Sequence, residues 1–363
     1  MSIRHLQEYR APEISKGLVE GIFRANHKPV RLMELCGTHT MSVFRNGIRS
    51  VLPETITLVS GPGCPVCVTP QNEIDAFIAL SMIDNVIITT FGDLMRVPGT
   101  QSSLQREKAK GKDIRVVYSS LDALNIANQN PDRNVVFLGV GFETTAPTIA
   151  ASIGMAKEKK ISNFHVFSAH KLVPPMLAGL MQMNDVRVDG FILPGHVSVI
   201  IGSEAYLPFV EKFHMPCVIA GFEPADILQA IYMLADQTGS GATRLENAYA
   251  RAVTSKGNQK ARAVINEVFE TVDTCWRGIG VVPSSGLKIR KEFSQFDAQE
   301  VFEISVPDSE APKGCICGDI LTGVKTPPDC PLYKKVCTPA EPVGPCMVSS
   351  EGSCAAYYKY CRF

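Results

Sequence analysis

The chain has 363 residues, more than one hydrophobic core usually spans, so two or three domains are expected. Hydrophobic residues make up 45% and charged residues 20%, which excludes a disordered chain, and 36 Lys plus Arg against 36 Asp plus Glu leave no net field to draw it to nucleic acid or to an anionic membrane. With no apolar leader core in MSIRHLQEYRAPE and no apolar run of bilayer length, the expectation is a cytoplasmic protein whose twelve cysteines serve metal or redox chemistry rather than structural disulfides.

The first expected strand, residues 30–35, runs directly into Cys36-Gly37-Thr38-His39-Thr40. In open α/β sheets functional groups gather at the carboxyl ends of strands, and here a thiol and an imidazole three residues apart share such a turn. A helix beginning there would lower the Cys36 pKa and favour thiolate. The plain alternative makes Cys36 a small buried hydrophobe and His39 a capping residue. The second strand, 56–60, ends in Gly61-Pro62-Gly63-Cys64-Pro65-Val66-Cys67, and Thr69-Pro70 suits the start of the next helix. A CxxC at a strand-to-helix turn is a dithiol redox centre or half of a soft-metal site, so Cys36, His39, Cys64 and Cys67 could converge on one rim.

Six more strands follow at 86–90, 114–119, 135–140, 165–169, 190–193 and 217–220, each closed by small or polar residues and followed by a helical pattern. Continuous apolar strands alternating with helices describe parallel sheets covered on both faces, and eight strands divide into two four-stranded α/β domains. The seam is expected at 125–133 (NIANQNPDR), which sets the first domain at 1–124 and the second, with its helical connection, at 125–300. His170 and His196 stand at strand ends. Glu143 and Glu223 sit in a repeated Gly-Phe-Glu turn, at 141–143 and 221–223. These four read equally as site residues or as hydrogen-bonded turn residues.

After the second repeat, Pro224 opens a helix with Ile227, Leu228, Ile231 and Leu234 on one face. A long helical segment is expected over 243–271 and a last strand over 279–289, packing back on a sheet. From 311 onward seven Pro and seven Cys fall within 53 residues, too few aliphatic groups for a core, so 301–363 reads as a small metal-stabilised module. Its thiols are Cys315, Cys317, Cys330, Cys337, Cys346, Cys354 and Cys361, with no histidine. Thiolate ligation alone fits either zinc or an iron-sulfur cluster, and four of the seven suffice for either.

Together, CGTHT at Cys36, GPGCPVC at Gly61, GFETT at Gly141, PGHVSVIIG at Pro194 and the run from CICGDILTG to CTPAEPVGPCMVSSEGSCAAYYKY resemble, in order, the HypD family of hydrogenase maturation factors. The resemblance covers essentially the whole chain. It implies two α/β lobes, a C-terminal domain with a 4Fe-4S cluster, and a scaffold role with redox activity rather than an independent enzyme. The expected partners are a HypC-type small chaperone, a HypE-type cyanide donor and, indirectly, the NiFe hydrogenase large subunit. The cargo is iron carrying two cyanides and one carbon monoxide. By the same resemblance Cys36 is the thiol closest to that iron, with Cys64 and Cys67 beside it, and the family spacing Cys-x14-Cys-x6-Cys-x16-Cys falls on Cys315, Cys330, Cys337 and Cys354. Cys317 and Cys346 are left as a redox pair next to the cluster, although Cys317 lies close enough to Cys315 for the two to exchange roles. Cys217, Cys275 and Cys361 receive no role. The rival expectation is an iron-sulfur thiol-disulfide reductase that delivers no iron.

Overall fold

The computed structural model describes residues 12–306, 309 and 311–361. Strand β1 (Val30–Glu34) pairs in parallel with β2 (Ile56–Ser60), setting Met33 opposite Val59 and Glu34 opposite Ser60. The chain then builds a second parallel sheet from β3 (Val86–Thr90), β4 (Ile114–Val116), β5 (Asn134–Gly139) and β6 (Phe164–Ser168), in the order β4-β3-β5-β6. It returns through β7 (Gly190–Pro194), β8 (Cys217–Ala220) and β9 (Leu245–Asn247), giving the first sheet the order β2-β1-β7-β8-β9. Alternating side chains feed different cores: Ile87, Val135 and Phe137 enter one cluster, Ile88, Val136 and Leu138 another. This is the two-faced burial that a continuous apolar strand specifies.

Consecutive strands therefore do not share sheets in two groups of four. The expected seam at 125–133 begins inside the helix Ser120–Gln129, which joins β4 to β5 of one sheet. The first sheet is instead interrupted, because β1 pairs with β7 through Leu32 opposite Gly190. The long helix expected over 243–271 is also corrected. Gly257 (φ 66°) breaks the segment and the Asn258 side chain caps a helix confined to Gln259–Val268. Before it, β9 adds to β8; after it, β10 (Phe269–Trp276) forms an antiparallel ribbon with β11 (Gly280–Ile289), in place of a lone last strand.

The helix Pro224–Ser240 carries Ile227, Leu228, Ile231 and Leu234 buried on one face, with Pro224 in its first turn, as its pattern requires. Among its described residues the Cys-rich segment forms only short helices, Cys317–Leu321, Pro345–Val348 and Ser353–Tyr360, with a 3-10 turn at Pro327–Asp329. It closes on the first sheet at Gly323, where an added Cβ would lie 2.7 Å from Met33 Cε. Among the described residues no helix is long and apolar enough to cross a membrane.

Candidate metal and thiol centre

Cys36 is the extended N-cap (φ −152°, ψ 125°) of the helix Gly37–Arg45, directly past β1. Parallel pairing of β1 with β2 brings the next turn alongside it. The Gly61 N–H donates to Glu34 O at 2.8 Å and the Gly37 N–H to Gly63 O at 2.9 Å. Gly63 must be glycine, since a Cβ there would stand 2.2 Å from Cys36 N. Cys64 caps the helix Pro65–Val68, its Sγ accepting from the Cys67 N–H at 3.2 Å, and Cys64 and Cys67 form a disulfide. Thr69 follows that short helix and Pro70 caps the next, Gln71–Met82, one residue later than expected.

Burial sets the electrostatics of this rim. The Cys36 thiol is pushed up to about 12, first by burial and then by the Glu351 carboxylate, against the smaller pull of the His39 and Thr38 backbone N–H groups. The expected thiolate at the helix N-terminus is thus overturned for the protein alone, because desolvation outweighs the helix end. Glu34, which ends β1, is raised to about 8 by burial and is bonded by the Thr40 hydroxyl and, at 3.1 Å, by the Cys36 N–H. His39 is lowered to about 4 by burial; its Nε2 meets Gly221 O at 2.9 Å and its Nδ1 is buried without a partner among the described residues. Its ring stacks on Phe222 at 4.8 Å, and His196 stacks on the same Phe222 at 3.8 Å. The ends of β1, β2, β7 and β8 therefore meet here.

The other sequence candidates serve the turns themselves or lie at the second sheet. Glu223 is the N-cap of Pro224–Ser240, in reciprocal bonding with Asp226. Glu143 and His170 lie at the carboxyl edge of the second sheet. Glu143 accepts from the Val173 N–H at 2.8 Å, has no partner for Oε2 among the described residues and is raised to about 7 by burial. His170 meets Ser168 Oγ at 3.0 Å and burial lowers it to about 3.

In the C-terminal segment Cys315, Cys317, Cys330, Cys337, Cys346 and Cys354 line one pocket with Ile320, Leu332 and Met347. Cys317 Sγ and Cys346 Sγ stand 2.8 Å apart. Among the described residues no three His, Cys, Asp or Glu side chains are drawn together as ligands of one ion; the sulfurs line a common space instead. That space fits a sulfur-bound cluster in two respects. A Cβ on Gly344 would come within 2.8 Å of Cys315 Sγ, and Cys337 Sγ already accepts from the Val343 N–H at 3.3 Å, the kind of amide bond that tunes cluster sulfurs. Cys217 is buried within β8, Cys275 lies in β10, and Cys361 comes after the last helix, outside the pocket.

The two sulfur regions touch. The helix Pro65–Val68 rests on Pro345–Val348, which carries Cys346. Thr38 donates to Glu351 Oε1 at 2.7 Å, and a Cβ on Gly37 would lie 2.4 Å from that of Glu351. Arg49 lies 4.5 Å from the Phe44 ring centre and donates to the Tyr357 hydroxyl at 3.1 Å. Sequence reasoning missed Glu34, Phe222 and Glu351. A carboxylate ending an otherwise apolar strand was a legible signal for Glu34, whereas Glu351 in SSEGS offers none.

A family model, HypD, described as "Hydrogenase formation hypA family", matches residues 13–361. Hydrogenase maturation factor HypD2 of Bradyrhizobium diazoefficiens is 47% identical over 375 residues, covering 99% of this chain and 98% of that protein. Hydrogenase maturation factor HypD of Cupriavidus necator is 46% identical, with 99% and 98% covered, and that of Escherichia coli is 44% identical, again with 99% and 98% covered.

Proposed function

The chain belongs to the HypD family of hydrogenase maturation factors, and from that premise we propose that it is a cytoplasmic scaffold for the iron-dicyano-carbonyl group of NiFe hydrogenases. It works with a HypC-type small chaperone, takes cyanide from a HypE-type donor and serves the hydrogenase large subunit indirectly. Cys36 holds the iron cargo, and Cys64 and Cys67 stand beside it. The observation that carries this reading is the lacing of the Cys36 turn to the Cys64–Cys67 turn through Gly37, Gly61 and Gly63.

Because burial keeps the Cys36 proton in place, iron must displace it, so loading is coupled to proton release. Neutral His39, with Nε2 committed to Gly221 O, presents its Nδ1 lone pair on the same rim as acceptor or ligand. A soft thiolate tolerates iron bearing cyanide and carbon monoxide and releases it by exchange with the target's own thiolates.

Cys315, Cys330, Cys337 and Cys354 are the residues that would hold a 4Fe-4S cluster, which supplies electrons one at a time. Cys317 and Cys346 form the adjacent dithiol and pass electron pairs to Cys64–Cys67. The disulfide there, one helix contact from Cys346, equally suits a thiol-disulfide reductase without iron delivery. Infrared spectroscopy of protein purified anaerobically after coexpression with the other maturation proteins separates the two. Cyanide and carbonyl bands are expected for the scaffold, and their absence at full iron content would favour the reductase.

A further inference from the structure

We infer that Arg277 is the positioning residue that holds the Cys64–Cys67 turn against the Cys317–Cys346 pair. This rests on the proposed electron relay between those pairs and adds a residue that neither sulfur motif contains.

Arg277 opens the turn between β10 and β11, anchored by the fully buried Trp276, whose Nε1–H donates to Ser285 Oγ at 2.9 Å. From that anchor Arg277 makes three bonds, two to the end of the Cys67 helix and one to the first residue of the helix that follows. Its backbone N–H donates to Val68 O at 2.8 Å, its Nε–H to Thr69 O at 2.9 Å and its Nη1–H to Gln71 Oε1 at 3.2 Å. Orphan carbonyls at a helix C-terminus are where a fixed cation and its donors act best.

The same turn presses on the other sulfur pair. Gly278 (φ 80°) touches Gly318, the residue after Cys317: a Cβ on Gly278 would lie 2.2 Å from Gly318 Cα, and one on Gly318 2.9 Å from Gly278 Cα. Beside this contact the Cys67 helix rests on the helix of Cys346. Three bonds to one turn and a backbone contact to the other fix their relative placement. The guanidinium is buried, and its Nη2 has no partner among the described residues, a cost that simple packing would avoid with an apolar side chain.

The chemistry that needs this placement is one exchange. A thiolate of the Cys317–Cys346 pair attacks the Cys64–Cys67 disulfide, forming a mixed disulfide and releasing one thiolate of that turn. The second thiol of the attacking pair then closes a Cys317–Cys346 disulfide and releases the other. Two electrons move from one pair to the other, the two protons lost by the first are taken up by the second, and no further reductant enters this step. Its rate depends on alignment of three sulfurs, so a loosened turn slows it.

The test uses the full chain purified anaerobically, reduced with a pulse of sodium dithionite, quenched at intervals with N-ethylmaleimide and read by peptide mass spectrometry. In Arg277→Gln, labelling of Cys64 and Cys67 is expected to appear at least tenfold more slowly, while the pulse still reduces Cys317 and Cys346. Arg277→Lys, which keeps the charge and one donor, should recover part of the rate. Wild-type labelling of Cys64 and Cys67 in Arg277→Gln overturns the inference. If that variant does not fold, Arg277→Lys decides, with slowing of severalfold expected and no slowing overturning it. Failure of the relay itself looks different: Cys317→Ser would then leave the reduction of Cys64 and Cys67 unchanged in otherwise wild-type protein.

Discussion

At the end of β5, Gly141-Phe142-Glu143 turns into the interior, whereas at the end of β8 the same tripeptide, Gly221-Phe222-Glu223, turns to the rim that carries Cys36. Both glycines are required by a residue folding back on the turn: a Cβ on Gly141 would strike Thr145 Oγ1 at 1.7 Å and one on Gly221 would strike Asp226 Oδ2 at 2.3 Å. The phenylalanine and glutamate of the two turns meet different surroundings. Phe142 is buried and stacks on Trp276 at 6.0 Å, and Glu143 is buried beside Val173, whereas Phe222 lies half-buried against His39 and His196, and Glu223 caps a helix. The difference comes from what covers each sheet edge. The β10–β11 ribbon seals the second sheet, and the Cys-rich segment reaches the first through Glu351 and Tyr357. A repeated turn thus reports a repeated strand-to-helix geometry, and its use is decided by the partner laid over it.

The strongest way to break this contrast is to remove the cover from one edge only. Replacing Cys330 or Cys354 by Ala should abolish the visible absorption of the proposed cluster, make the segment after 311 protease-sensitive and open Cys36 to maleimide. Hydrogen exchange in β5 should stay as in the wild type; loss of protection there would mean that the two edges are not independent.

Phenylalanine truncation sharpens the comparison. Phe142→Ala should cost about 3–5 kcal/mol in denaturant unfolding, as for a buried aromatic. Phe222→Ala should cost less, about 1.5–3 kcal/mol from partial burial and ring contacts together, yet lower the amount of iron-cyanide retained per folded protein. Equal stability losses at the two positions would erase the distinction between joint and rim.

The smallest effect is a pH dependence at the sealed edge. Burial raises Glu143 from 4.5 to about 7, so the folded state binds more protons there than the unfolded chain. Its contribution to stability is fully present below about 4.5 and is lost as the pH rises through about 7. Thermal melts of Glu143→Gln should lack that decline relative to the wild type, and parallel curves would remove the role assigned to burial.

Strands such as 86–90 and 217–220 were legible because parallel strands buried on both faces are continuous β-branched runs. Their grouping was not, since the pairing of Leu32 with Gly190 joins distant segments and leaves no local trace. The expected helix over 243–271 ran through the turn chemistry of Gly257-Asn258, and β9 spans only Leu245–Asn247 and carries too little pattern to be recognised. At the site, Cys36, Cys64, Cys67 and the C-terminal thiols stood out by residue type. Glu351, Phe222 and Arg277 did not, because each matters through contacts that only the folded chain supplies.

Whether Cys36 holds the iron cargo is read most directly from the infrared spectrum of Cys36→Ala, purified anaerobically from cells expressing every other maturation protein. Loss of the cyanide and carbonyl bands, with the visible absorption of the proposed C-terminal cluster unchanged, is the predicted result. Bands of wild-type intensity at equal iron content would place the iron on other residues and contradict the role given to Cys36.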